Sequence, residues 1–192
     1  MATNWNEVEG NLVTLAKKGE FDVIAHGCNC FCTMGAGIAP IMARVFGCDT
    51  FPMEHDDYTG DINKLGTIDF ERRLVGELHP LWVVNAYTQY GFGMNHEDGT
   101  KAPIDYEALT LCMRKMNKEF KGLHVGLPLI GCSLPLIGCG LPLIGCGLAG
   151  GDWTIVKQIM QTELKDCKVT IVHFKSTNAA EIRQVSNGYG EQ

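Results

Sequence analysis

The chain has little positive charge to offer a partner. Its 16 Lys and Arg are outnumbered by 22 Asp and Glu, the net charge is −6, and no long basic run occurs. A duplex nucleic acid partner is not expected, because affinity for a phosphate backbone rests on clustered cations. The chain also lacks an unbroken apolar tract of membrane-spanning length. Its longest candidate, around Leu123–Ala149, is interrupted by prolines and glycines, so no membrane partner is expected. The start, MATNWNEVEG, has no basic segment followed by an apolar one, which excludes a secretory signal there. Nine cysteines is an odd number and does not make a disulfide framework; reduced thiols and a cytoplasmic location are expected. Cys28, Cys30 and Cys32 lie at alternate positions beside His26, whereas zinc sites space cysteines as C-x₂₋₄-C, so no metal is expected. No cofactor is expected either.

What is present is the composition of a globular domain: 192 residues, 45% hydrophobic and 20% charged. One domain over residues 1–175 with a polar tail over 176–192 accounts for it. Short apolar runs alternate with helical patterns, which implies a layered α/β domain. Strands are predicted at Trp5–Glu9, Phe21–His26, Thr67–Arg72, Leu78–Ala86, His124–Ile130 and Lys168–Phe174. Helices are predicted at Leu12–Lys18, Ala36–Phe46, Phe51–Tyr58, Tyr106–Glu119 and from Asp152 to about Lys165. Asp105 and Asp152 are N-caps by position. Leu109, Cys112, Met113 and Met116 share the buried face of one helix. Tyr87–Pro103 reads as a long loop, of the kind that is usually functional.

Chemistry concentrates at His26–Ala39, HGCNCFCTMGAGIA, where a buried strand opens through small residues into a helix. Such a junction brings backbone N–H groups and the positive end of a helix to an anion. Gly35, Ala36, Gly37 and Ile38 can present N–H groups to one phosphate. Gly145, Cys146, Gly147 and Leu148 can do so for a second, and no basic side chain is needed. A dinucleotide-binding G-x-G-x-x-G reading fails because Pro40 stands where the third glycine belongs and Gly35 lies nine positions beyond His26.

The segment 127–147 is anomalous. It holds three tandem heptapeptides, LPLIGCS, LPLIGCG and LPLIGCG. The unit is too short for a solenoid, and each copy contains the helix breakers Pro and Gly, so this is one strand-to-loop junction repeated. The first copy is expected to serve the strand after Gly122. The third, which alone runs into Asp152-Trp153, is expected to serve the phosphate loop.

The strand ending at His26, Asn29, the MGAGIA loop, and Leu141–Leu148 followed by Trp153 together resemble the macrodomain family, which binds ADP-ribose. The resemblance covers most of residues 5–174. It implies an α/β fold, a three-layer α/β/α macrodomain with a mixed central sheet of about six strands. Two branches are similar. The branch that removes ADP-ribose from carboxylate side chains shares MGAGIA and P-x-IGCGL. The ADP-ribose-1″-phosphate phosphatase-like branch shares His-x-Cys-Asn-Cys, here His26 to Cys30. The resemblance implies ADP-ribose binding, with Asn11 at the adenine, Asn29 orienting the distal ribose, and His26 as the general base that activates water in ADP-ribose 1″-phosphate hydrolysis. Asp152 assists or simply caps its helix. Tyr87, Tyr90, Phe92 and Trp153 line the site or pack. A non-catalytic ADP-ribose reader and a hydrolase of ADP-ribosylated protein are the alternatives. Against the hydrolase stand two departures: Ala149 replaces that branch's Asp, and Tyr87-Thr88-Gln89 stands where its Lys belongs.

Overall fold

The computed structural model describes residues 4–35, 37–55, 60–92, 104–130 and 150–174. Six strands form one sheet: β1 (Trp5–Gly10), β2 (Val23–Asn29), β3 (Ile68–Val75), β4 (His79–Gln89), β5 (His124–Leu127) and β6 (Lys168–Phe174). Their order is β1-β6-β5-β2-β4-β3. Every neighbouring pair is parallel except β3 with β4, so the sheet is mixed, as expected.

Among the described residues, four α-helices flank it: α1 (Leu12–Lys17), α2 (Ala39–Phe46), α3 (Tyr106–Glu119) and α4 (Trp153–Glu163). Leu109, Cys112, Met113 and Met116 of α3 and Val156 and Met160 of α4 are buried with Val23, Ala25, Val84, Val125 and Ile171 on one face of the sheet. Leu12 and Ala16 of α1 and Met42 and Phe46 of α2 are buried with Ile24, Leu81 and Val83 on the other. Two apolar layers on opposite faces of one sheet make the three-layer α/β/α arrangement. Among the described residues, no helix is long and apolar enough to cross a membrane.

Several boundaries differ from the sequence reading, each for a local reason. β2 runs to Asn29 rather than stopping at His26, because its pairing with β4 continues through Cys28↔Tyr87 to Asn29↔Gln89. α2 starts at Ala39, with Pro40 in the first turn where its missing N–H costs nothing, and Gly47 ends it in the left-handed region. The helix predicted at Phe51–Tyr58 is a 3₁₀ segment over Cys48–His55. β5 stops at Leu127, before Pro128. Of the first heptapeptide copy, only Leu127 lies in β5; Ile130 is buried with it in the α3–α4 core, and residues 131–133 lie outside the described residues. The placement expected for the third copy lies outside the described residues.

Candidate functional site

Three of the four helices begin the same way. The side chain of Asn11 accepts from Thr14 N at the start of α1, Asp105 from Ala108 N at α3, and Asp152 from Thr154 N at α4. Each satisfies one of the N–H groups that a helix start leaves without an internal partner. α2 differs. Ile38 occupies its N-cap position with helical angles, φ −78° and ψ −21°, and makes no side-chain cap. This uncapped start sits at the C-terminal end of the central strand β2, behind Gly35 and Gly37. Gly37 has φ +65°, which few L residues adopt without strain. Ile38 and Met34 anchor the loop by packing on the α1–α2 core.

Asn29 shapes this loop from below. Its Nδ2 donates to Thr33 O (3.1 Å) and Thr33 Oγ1 (2.9 Å), and its Oδ1 accepts from Thr33 N (3.3 Å). The amide expected to orient a ribose is therefore engaged in a clamp across four residues of the loop. Cys32, inside that clamp, takes φ +57°. Asn11 Oδ1, expected at an adenine, accepts from Thr14 N at 3.1 Å. Asp152 is the cap of α4, and its own N–H donates to the Tyr106 hydroxyl at 2.9 Å. Ala36, Gly145, Cys146, Gly147 and Leu148 lie outside the described residues.

His26 departs most from its expected role. The ring is fully buried, on the α1–α2 side of the sheet, and has no surface from which to activate a water. Asn85 Nδ2 donates to Cys48 O (2.8 Å), which turns its Oδ1 toward the ring. His26 Nε2 lies 2.9 Å from that oxygen, so Nε2 carries the proton and donates it. Cys48 Sγ is 3.5 Å from Nε2, and Cys28 Sγ is 3.8 Å from Nδ1. Burial lowers the His26 pKa to about 4, against the hydrogen bond that the ring donates to Asn85, which works to raise it. Burial likewise raises Cys28 and pushes Cys48 up to about 12, so both thiols stay protonated. The neutral ring ties β2 to β4 and to the 3₁₀ segment over Cys48–His55.

Among the aromatic residues named from the sequence, Tyr87 is core. It is buried, its hydroxyl donates to Asp69 Oδ2 at 2.6 Å, and Lys64 Nζ lies over its ring at 4.8 Å. Burial, then the Asp69 carboxylate, raise its pKa. Trp153 opens α4 and stands edge-on to His173. Tyr90 and Phe92 are exposed beside the β2–α2 loop and stand edge-on to the half-buried Phe31, which the sequence alone gave no reason to single out. Among the described residues, no group of three His, Cys, Asp or Glu side chains could hold a metal ion.

No protein-family model matches the chain. It is 31% identical over 172 residues to an uncharacterized 17.5 kDa protein from the tk-vs intergenic region of enterobacteria phage T4, covering 88% of this chain and 95% of the phage protein. Its fold is similar to that of a macrodomain protein from Streptomyces coelicolor, with TM-score 0.56 and 22% identity over 90% of this chain and 99% of that one. It is also similar to the Trypanosoma brucei macrodomain solved in complex with ADP-ribose, with TM-score 0.53 and 14% identity over 97% of this chain and 69% of that one. By sequence the chain belongs to one family with the phage T4 protein, and its fold is that of the macrodomains.

Proposed function

We propose that the chain binds ADP-ribose across the C-terminal ends of its parallel strands, with a phosphate at the β2–α2 loop and the adenine toward Asn11 at the end of β1. The observation that carries this reading is the start of α2. It is the one helix start among the four described that no side chain caps, and it lies behind a glycine loop at the end of the central strand. An anion supplies there what Asn11, Asp105 and Asp152 supply elsewhere. The ADP-ribose complex of the T. brucei macrodomain supports the choice of ligand.

For the bound ligand we propose hydrolysis of ADP-ribose 1″-phosphate, on the His26–Cys30 pattern. Water attacks phosphorus, the 1″ oxygen leaves with a proton, and ADP-ribose and phosphate result. His26 takes part as a neutral strut under the site, not as the base. Asp152 is then the titratable group left among the three residues the sequence pointed to, and ADP-ribosylated protein is the alternative substrate.

The test is calorimetry with ADP-ribose, together with phosphate release from ADP-ribose 1″-phosphate by wild type, His26→Gln and Asp152→Asn. Micromolar binding, about −8 kcal/mol, is expected. His26→Gln should keep its turnover per folded molecule, and Asp152→Asn should lose about 10²–10⁴-fold. No heat at millimolar ADP-ribose defeats the binding reading. Binding without phosphate release defeats the phosphatase and leaves a reader.

A further inference from the structure

Three aromatic rings meet beside the β2–α2 loop, and none belongs to either core. Phe31 lies in the turn after β2, and Tyr90 and Phe92 follow β4. Phe31 stands edge-on to both, with ring centroids 5.4 Å from Tyr90 and 5.7 Å from Phe92 and interplanar angles of 64° and 83°. Backbone holds them in place. Cys30 N donates to Gln89 O (3.2 Å) and Tyr90 O (2.9 Å), Gly60 N donates to Cys30 O (3.0 Å), and the Tyr90 hydroxyl donates to Gly60 O (2.9 Å). Gly60, at φ +78°, lies so close under Phe31 that a Cβ would fall 2.9 Å from Cε1 of that ring. The platform is built, yet two of its rings stay open: Tyr90 is 41% exposed and Phe92 56%, over the half-buried Phe31.

The sheet order says which part of a ligand arrives here, and this step rests on the ADP-ribose reading above. From β1 the strands follow as β6, β5, β2 and β4, each about 4.8 Å from the last. A ligand with adenine at the β1 end and a phosphate at β2 carries its distal ribose toward β4 and these rings. The platform's polar groups bond one another, so it offers ring faces rather than donors. That suits a flat ring better than a peptide strand, which needs main-chain partners. A nucleic acid strand needs cations along its path, and Lys64, four residues beyond Gly60, is paired with Asp69 at 3.6 Å. Asp61, next to Gly60, favours a ring that is neutral or positive.

We propose that Phe31, Tyr90 and Phe92 form a subsite for a planar heteroaromatic ring carried on the distal ribose of a bound dinucleotide. The probe is NAD⁺, which is ADP-ribose bearing a cationic pyridine ring at that carbon. Stacking one ring on exposed aromatics is expected to tighten binding by roughly 5- to 100-fold. Calorimetry should show NAD⁺ binding wild type more tightly than ADP-ribose does, by that factor. Phe92→Ala and Tyr90→Ala should each weaken NAD⁺ binding by a larger factor than ADP-ribose binding, and so reduce the advantage. NAD⁺ binding no tighter than ADP-ribose, or an advantage that survives in both variants, overturns the subsite while the ADP-ribose reading stands. An advantage seen only with an ADP-ribosylated peptide also overturns it, in favour of a polypeptide partner. Nicotinamide riboside, which lacks the diphosphate, separates the two readings if ADP-ribose gives no heat. Shifts of the three rings' NMR signals on its addition then uphold the subsite alone, and unshifted signals overturn it as well.

Discussion

The starts of α3 and α2 lie on opposite faces of one sheet and solve the same electrostatic problem differently. At α3, Asp105 turns its carboxylate onto Ala108 N, and the helix is complete without a partner. At α2, Ile38 caps nothing, and Gly37 holds a left-handed turn that leaves the backbone open in front of the helix. A self-satisfied start adds stability; the start of α2, at the end of a central strand, is where the proposed phosphate would supply the missing partner. The difference teaches that the cap at α3 completes its helix from within the chain, whereas the start of α2 has no such side chain.

The largest expected effect breaks the open start. Gly37→Glu places a carboxylate and a strained φ in front of α2, and ADP-ribose affinity should fall by at least about 1,000-fold, or ~4 kcal/mol. Calorimetry on a variant with wild-type circular dichroism checks it; retained micromolar binding removes the loop from the site.

Next in size is the contrast between the rim of β2 and its interior. The pKa of His26 is about 4 in the folded chain against 6.5 in a free side chain, so the unfolded state binds a proton that the folded state refuses. Stability should be full above pH 6.5 and should decline as pH falls toward 4, by about 3 kcal/mol in all. Urea unfolding between pH 7 and pH 4 should show this slope in wild type and lose most of it in His26→Gln. An equal slope in both would place the acid sensitivity elsewhere.

A smaller effect sharpens the comparison from the other side. Asp105→Ala should cost about 1 kcal/mol of stability, seen as a lower melting temperature, with ADP-ribose affinity unchanged. A binding loss as large as that of Gly37→Glu would erase the distinction between the two helix starts. The smallest concerns the clamp: Thr33→Val loses the Oγ1 that accepts from Asn29 Nδ2, and should weaken ADP-ribose binding by about 5-fold, while Thr33→Ser restores it. Equal affinities in the three proteins would show that the clamp does not shape the loop.

Much of this was legible from local signals. Asp105 and Asp152 announce their helices, and the spacing of Leu109, Cys112, Met113 and Met116 marks the face that α3 buries. The left-handed turn at Gly37 ahead of α2 was legible because glycines before a helix have a direct physical meaning. The fate of His26 was not legible, because its partners come from far along the chain: Asn85 is 59 positions away and Cys48 is 22. Asn29 looked like a ligand residue because a side-chain clamp onto Thr33 leaves no trace in composition or period. The sequence reading gives Asn11 only an adenine contact; its place directly before Leu12 is the signal for the cap of α1 that geometry shows. The ring platform needed Phe31 and Tyr90, 59 positions apart in sequence, to meet across the ends of two strands.

The first strand described has its only neighbour in the last. Trp5 pairs with Val169 and Gly10 with Phe174, so the two partners in each pair lie 164 positions apart. During synthesis, at about 5–20 residues per second, β1 must wait roughly 8–30 s before its partner exists. Through that interval its edge is unpaired, and polar Asn6, Glu7 and Glu9 on a six-residue strand give other chains little to join. Closing so long a loop is also slow in refolding from denaturant, so β1 should be the last strand to gain amide protection and the first to lose it.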